Sequence, residues 1–341
     1  MDNVFLYKNS FILHENVKSS LCFGDIELCP KPMISIILPV YNRPQTLAKA
    51  LLSAIHQVNA ENYEIVIVDN NEIHPSPNLD VVKRLATNST NVFYYQHEEN
   101  IGMYGNFNRG IQLARGEYIT FCHDDDFLEP IALSTLVSML PVVDNGECII
   151  GEHKIVDDND IVICNSTMNN LPLLKKRLYF KYSMFDMFIR GAGIGGGGSL
   201  FKRENIIKMG GFREDLYPGS DYALFINYQH NYGCIYLTIP TYNYRKAENE
   251  SKKVFLQFPE LELFFMECMK PFIKLPNSLL SIIIKAKYKY SVVSLSREWG
   301  EERSGRYSLS FFISKIIIVL LRGLLKLKAS MFPLPSFMFR R

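Results

Sequence analysis

Apolar positions along the chain fall into short dense runs, separated by stretches in which they recur with helical spacing. MISIILPVY (33–41) is β-branched with little alternation, which predicts a strand buried on both faces. Arg43-Pro44 then opens a helix to about His56, with Leu47, Leu51, Leu52 and Ile55 on one stripe. YEIVIVDNN (63–71) predicts a second buried strand, Leu79 to Ala86 a helix, and NVFYYQ (91–96) a third strand. NIGMYGNFNRGIQLARG (100–116) reads as a loop running into a helix, and EYITFCH (117–123) as a fourth strand. Beyond Pro130 the pattern predicts a helix to about Leu140 and strands at 147–156 and 160–165. A strand, short helix and turn follow over 195–212, then a helix from Gly219 to Gln229 and a strand within 234–245. From Phe255 onward everything reads as helix.

Strand and helix thus alternate four times, which implies a mostly parallel sheet with helices on its faces. In such sheets ligands bind beyond the carboxyl ends of the strands. Three polar clusters sit at predicted strand C-termini: Tyr41-Asn42, Asp69-Asn70 and Asp124-Asp125-Asp126. Each alone has a local explanation, since Asn42 could cap a helix and Asp69 a turn. All three on one rim point to a ligand.

The triplet in FCHDDDF (121–127) is the sharpest of these signals. Three adjacent carboxylates beside an apolar run disfavour their own ionisation unless a cation or donors compensate them. They could hold a divalent ion, work as an acid/base pair or cap the next helix. Capping needs one Asp and leaves two unexplained. Mg2+ takes one or two carboxylates and completes its shell with water and phosphate oxygens, and Mn2+ accepts the same hard ligands.

The ordered set SIILPVYNR (35–43), EIVIVDN (64–70) and NIGMYGNFNRGIQLARGEYITFCHDDDFLEP (100–130) resembles the family 2 glycosyltransferases. SLFKRENIIKMGGF (199–212) and GSDYALFI (219–226) extend the likeness more loosely. The resemblance implies a GT-A nucleotide-diphospho-sugar transferase fold, with a mostly parallel central sheet flanked by helices and, here, a helical C-terminal extension. It implies an inverting, Mn2+- or Mg2+-dependent enzyme that uses a nucleotide-sugar donor, most often a UDP-sugar. Pro39, Tyr41 and Asn42 would line the nucleotide pocket, Asp69 would take a hydrogen bond from the base, and Asn100 and Gly102 would lie beside base and ribose. Asp124 and Asp125 would contact the ribose or donor sugar and the metal, with Asp126 as a further metal ligand; the run itself leaves open which bonds the ion directly. Asp221, in S-D-Y-A-L where the family carries E-D-x-x-L, would be the catalytic base, with capping of its own helix as the competing role. His123 stands where many relatives have Asp, and Ala247 where they carry His.

Composition changes this picture in one place. A net charge of +2 hides an asymmetry: residues 270–341 carry 14 Lys and Arg against 3 Asp and Glu. SLSFFISKIIIVLLRGLLKLK (308–328) lies in that segment, with Ser308, Lys315, Arg322 and Lys326 as a narrow polar stripe. This predicts a helix lying on an anionic membrane surface or, alternatively, packed on the protein's own core. Aliphatic runs interleave the basic residues, which argues against nucleic acid. Seven scattered cysteines without C-x-x-C spacing argue for a reducing compartment. An N-terminus without a basic region before an apolar one gives no export signal. The expected location is the inner face of the cell membrane, with a glycan or lipid-linked acceptor in cell-surface polysaccharide synthesis.

The expected organisation is an N-terminal extension (1–32), a nucleotide-sugar-binding half (33–130), an acceptor-binding half (131–250) and a helical basic C-terminal region (251–341). RGAGIGGGGS (190–199) is not a dinucleotide fingerprint, because it does not join the first strand and helix of a βαβ unit. Its glycines would let the backbone pass close to donor or acceptor, or form a mobile loop or a plain connection. Two other functions fit the same fold. A sugar nucleotidyltransferase needs a Gly-rich basic loop after the first strand, which PVYNRPQTL lacks. A non-catalytic nucleotide- or glycan-binding module would keep Tyr41 and Asp69 and tolerate loss of Asp221.

Overall fold

The computed structural model describes residues 2–144, 146–165, 178–191, 196–246, 250–298 and 309–331. In chain order its first elements are β1 (Ser19–Phe23), β2 (Ile34–Val40), α1 (Pro44–Ile55), β3 (Tyr63–Asp69), α2 (Pro77–Leu85), β4 (Val92–His97), α3 (Gly102–Leu113) and β5 (Tyr118–Phe121). Next come β6 (Phe127–Leu128), α4 (Ala132–Ser138), β7 (Cys148–Val156), β8 (Val162–Asn165), β9 (Tyr179–Lys181), α5 (Met184–Arg190), β10 (Phe201–Lys202), α6 (Arg203–Met209), α7 (Ser220–Asn231) and β11 (Cys234–Arg245). The last elements are α8 (Glu250–Val254), α9 (Phe258–Met269), α10 (Asn277–Glu298) and α11 (Leu309–Met331).

One sheet runs in the order β1-β4-β3-β2-β5-β10, and its inner strands β4, β3, β2 and β5 are parallel. Every residue of β2 is buried, as expected of a strand covered on both faces. Successive side chains point to opposite faces. Ile34, Ile36, Leu38 and Val40 therefore pack with Leu47 and Leu51 of α1 and Val82 of α2, while Ile37 meets the cluster that includes Phe107 and Ile111 of α3. The chain steps from β2 to β3 to β4 in one direction and then returns to place β5 on the other side of β2. The reversal leaves a crevice between the carboxyl ends of β2 and β5, where ligands of such sheets bind.

Sequence periodicity misses two features. Ser19–Phe23 pairs antiparallel with β4 and closes that edge of the sheet, although its residues are only half-buried and show no strong pattern. A second sheet, ordered β6-β11-β7-β8 with β9 also on β11, packs beside the first. Its long strand β11 reaches back over the end of β5. Asp215 and Glu214 hold the N-terminal segment: Arg213 and Lys8 pair with Asp215, and His14 with Glu214. None of the seven cysteines is in a disulfide. No helix among the described residues is long and apolar enough to cross a membrane.

His97, at the end of β4, is fully buried between Ser19 Oγ (2.9 Å) and Asn106 Oδ1 (2.8 Å). Burial pulls its pKa down to about 4. Above about pH 6.5 folded and unfolded chains are both neutral at this position and stability is independent of its titration. As pH falls from there towards 4, the unfolded chain takes a proton that the folded one refuses. Stability should then drop by about 3 kcal/mol in total. Urea unfolding between pH 7 and 4 measures this, and the slope should flatten in His97→Asn.

Candidate active site

Strand parity builds the crevice. In a parallel strand the N–H and C=O of one residue point to the same side, and Ile37 points to β5, its carbonyl accepting from Cys122 N at 2.9 Å. Pro39 and Tyr41 share that parity. Beyond Ile37, β5 has ended, so Pro39 has no N–H to leave unpaired in the gap. Tyr41 N then donates to Asp124 Oδ2 at 3.0 Å. Asn42 turns the chain into α1 at φ +52°, in the left-handed region that Asn tolerates better than most side chains. The Tyr41 ring stands half exposed at the crevice mouth.

The three aspartates do different things. Asp124 is buried, held by Tyr41 N and by Arg43 Nη1 at 3.2 Å. Burial, and then the neighbouring Asp125 carboxylate, push its pKa up to about 7, with Arg43 opposing. Asp125 is partly exposed and pairs with the same Arg43 nitrogen. Asp126 is buried, accepting from Arg245 N (2.7 Å) and Tyr242 OH (2.8 Å), both on β11. Burial raises its pKa, opposed by His123, whose Nδ1 lies 3.3 Å away. The charge that the triplet demands is supplied by Arg43, which sequence reasoning used only as the start of a helix.

Donor atoms of His123, Asp125 and Asp126 all lie within 4.8 Å of one another. One imidazole nitrogen and two carboxylates suit Mn2+ and related divalent ions, so these residues fit the metal implied by the resemblance. His123 was not among the expected ligands. Its backbone N–H donates to Tyr242 OH (3.0 Å) and its ring packs edge-on to Phe107, which orients the imidazole.

On the other side of β2, Asp69 is fully buried and takes hydrogen bonds from Asn71 N, Asn78 Nδ2 and Tyr94 OH. Asn70 clasps the next loop: its Nδ2 donates to Asn100 Oδ1 (2.6 Å) and its Oδ1 accepts from Ile101 N (2.8 Å). Gly102 follows at φ +74° with open space around it, so backbone conformation rather than crowding requires the glycine. Asn106 on α3 donates to the carbonyls of Val68 and Val40, bracing the ends of β3 and β2. Asp221 stands on a separate element, in the first turn of α7, partly exposed, with Oδ1 accepting from Tyr222 N. Tyr104 of α3 ties that turn to the rim by donating to Pro218 O at 2.7 Å.

The glycines at 196–198 pack behind the triplet. A Cβ on Gly197 would meet the Tyr242 ring at 2.3 Å, and one on Gly198 would meet Tyr242 and Thr241 within 2.8 Å. These glycines let the backbone lie against the tyrosine that holds Asp126. Residues 192–195 of the same run, Ala247 and 166–177 lie outside the described residues, as do Ser308 and the side chain of Lys326.

A mostly parallel sheet with an acidic cluster at its switch point, beside a second sheet, is the arrangement of the GT-A fold. Residues 35–210 match the family model described as Glycosyl transferase family 2. The chain belongs to that family. Its relatives include the GalNAc(5)-diNAcBac-PP-undecaprenol beta-1,3-glucosyltransferase of Campylobacter jejuni, 36% identical over 31% of this chain and 34% of that one. An uncharacterized glycosyltransferase of Rickettsia felis is 33% identical over 37% of this chain and 20% of its own. The chain thus spans about a third or less of the length of these relatives. Among solved structures, Staphylococcus aureus TarS 1-349 in complex with UDP-GlcNAc superposes with a TM-score of 0.58 at 17% identity, over 84% of this chain and 81% of that one. The mannosyltransferase PcManGT of Pyrobaculum calidifontis, in complex with GDP-Man and Mn2+, gives 0.51 at 14% identity, over 89% and 87%. At these identities the two structures establish the fold.

Proposed function

We propose that the protein is a metal-dependent, inverting glycosyltransferase that moves a sugar from a nucleoside diphosphate to a hydroxyl of a glycan or lipid-linked acceptor. Its setting would be cell-surface polysaccharide synthesis at the cytoplasmic face of the membrane. The observation that carries this reading is the junction of Tyr41 with Asp124 at the switch point, beside the His123, Asp125 and Asp126 donors. The nucleotide would lie along residues 33–130, with Tyr41 offering a ring face to the base and Asn42, Asn100 and Gly102 bordering the ribose. Asp69 serves the base either directly or by fixing Asn71 and Asn78, to which it is hydrogen-bonded. The acceptor would enter from residues 131–250.

Asp125 and Asp126, with His123, would hold the divalent ion, which when bound supplies charge stabilisation to the diphosphate oxygens. Asp221 would take the proton of the acceptor hydroxyl. The resulting oxygen attacks the anomeric carbon opposite the diphosphate, the bond from that carbon to the diphosphate oxygen breaks, and the electron pair leaves with the diphosphate. One displacement inverts the centre. The relatives that carry glycosyltransferase names favour this reading over a nucleotidyltransferase or a binding module. Thermal shift with UDP or GDP, each with and without Mn2+, tests it: a metal-dependent rise in melting temperature for one nucleotide is expected, and no rise for either refutes it.

Arg43 pairs with Asp125, one of the carboxylates the metal ion would use, so ion and arginine compete there. Breaking a charge-assisted pair of this kind costs about 1.5–3 kcal/mol. Arg43→Ala should therefore tighten Mn2+ binding to the nucleotide-free protein by about tenfold in titration calorimetry. Unchanged or weaker binding would show that the arginine does not guard the site.

A further inference from the structure

The outer side of α11 is apolar where it meets solvent. Leu309, Phe312, Ile313, Ile316, Leu320 and Leu324 are between 49% and 76% exposed. At i, i+4, i+7, i+11 and i+15, five of them form a single stripe about 22 Å long, and Phe312 lies beside it. The opposite side of the same helix is already used. Phe311, Ser314, Ile318 and Leu325 are buried against the body, Phe311 stacking on Tyr290 of α10 with the Arg322 guanidinium over the same ring. A helix that is apolar on both sides belongs in an interior, and a patch this size is uncommon on a free surface.

The sequence pattern expected a narrow polar stripe on a helix otherwise apolar, set against either membrane or core. Folding commits one side to the core and leaves a second, fully apolar side outward.

We infer that this outer stripe of α11 is a membrane-docking surface that lies in the headgroup layer of an anionic bilayer. Charge complementarity selects the occupant. Lys315 is exposed on α11, Lys285 and Lys289 are exposed on α10, and residues 270–341 carry 14 basic against 3 acidic groups. An aliphatic stripe within such a segment suits acyl chains beneath phosphate headgroups, with lysines reaching up to the phosphates. A spanning role is excluded by the buried inner side and by the absence, among the described residues, of any helix apolar enough to cross. The surface serves the lipid-linked acceptor proposed above and depends on that reading for its purpose, while its own basis is the exposure of α11.

Co-sedimentation of the full chain with vesicles, without donor or metal, tests the inference. Phosphatidylcholine vesicles containing 30% (mole fraction about 0.3) phosphatidylglycerol should bind the protein at least tenfold more tightly than pure phosphatidylcholine. The double variant Ile316→Glu/Leu320→Glu alters only exposed positions and should lose at least tenfold of that binding. Transfer to a soluble acceptor should be unchanged in it. Binding to neither vesicle type, or equal binding by the variant, overturns the inference. A concentration-dependent dimer in sedimentation velocity that the double variant dissolves would assign the stripe to a second copy instead. Vesicle binding without any sugar transfer would leave docking intact and remove the transferase reading alone.

Discussion

Asp125→Asn should lower sugar transfer by about a thousandfold or more while the protein stays folded. The carboxylate is partly exposed, and its partner Arg43 remains bonded to Asp124 after the change. Removing one like charge from the triplet relieves repulsion, so the melting temperature should hold or rise. Catalysis should suffer because a divalent ion stabilises the developing charge on the diphosphate by several kcal/mol, and each 1.4 kcal/mol is a factor of ten. Two measurements separate the causes: transfer rate at saturating donor, and Mn2+ binding by calorimetry. Loss of both supports the metal role. Full activity in the variant would refute it.

The second large effect belongs to Asp221. Asp221→Asn should reduce kcat by about 10² to 10⁴, the usual contribution of a general base, with the KM for the donor little changed. The competing role is local, because Asp221 lies in the first turn of α7, where a carboxylate meets free backbone N–H groups. Asparagine keeps a side-chain oxygen for Tyr222 N but loses the charge that favours a helix start, so a fall of about 0.3–1 kcal/mol in stability belongs to the structural role and the fall in kcat to the base. A variant that keeps most of its kcat would return Asp221 to a helix-supporting part. Asp221→Ala, compared in melting temperature, reads the structural share directly, about 1 kcal/mol if the side chain supports the helix.

Much of the first sheet was legible before folding was considered. Strands at 34–40, 63–69 and 92–97 emerge within a residue or two of their apolar runs, because a strand covered on both faces must be apolar at every position. The helices α1 and α7 follow from spacing and from Arg43-Pro44 and Gly219 at their starts. Ser19–Phe23 was not legible, because an edge strand held mainly by backbone pairing to β4 imposes no apolar period. The second sheet was only partly so: its strands are recognisable singly, but β11 joins β6, β7 and β9 through pairings distant in sequence.

The same division runs through the site. The acidic triplet, Tyr41, Asn42, Asp69 and Asn70 could be placed on one rim because each follows a strand, and strand ends are local facts. Arg43 could not be assigned to Asp124 and Asp125, nor Tyr242 and Arg245 to Asp126, because those contacts join residues 81 to 119 positions apart. Nor could the two apolar sides of α11 be told apart until one of them was buried.

By itself, then, the chain determined the inner strands and helices of the first sheet, their parallel alternation and the chemistry available at the strand ends, since these depend on neighbours a few residues away. Tertiary structure alone decided which cation faces the aspartates, which tyrosine braces them, that His123 joins them as a third donor and which side of the last helix is left outward. Those are outcomes of packing, where distant segments compete for the same space and charge.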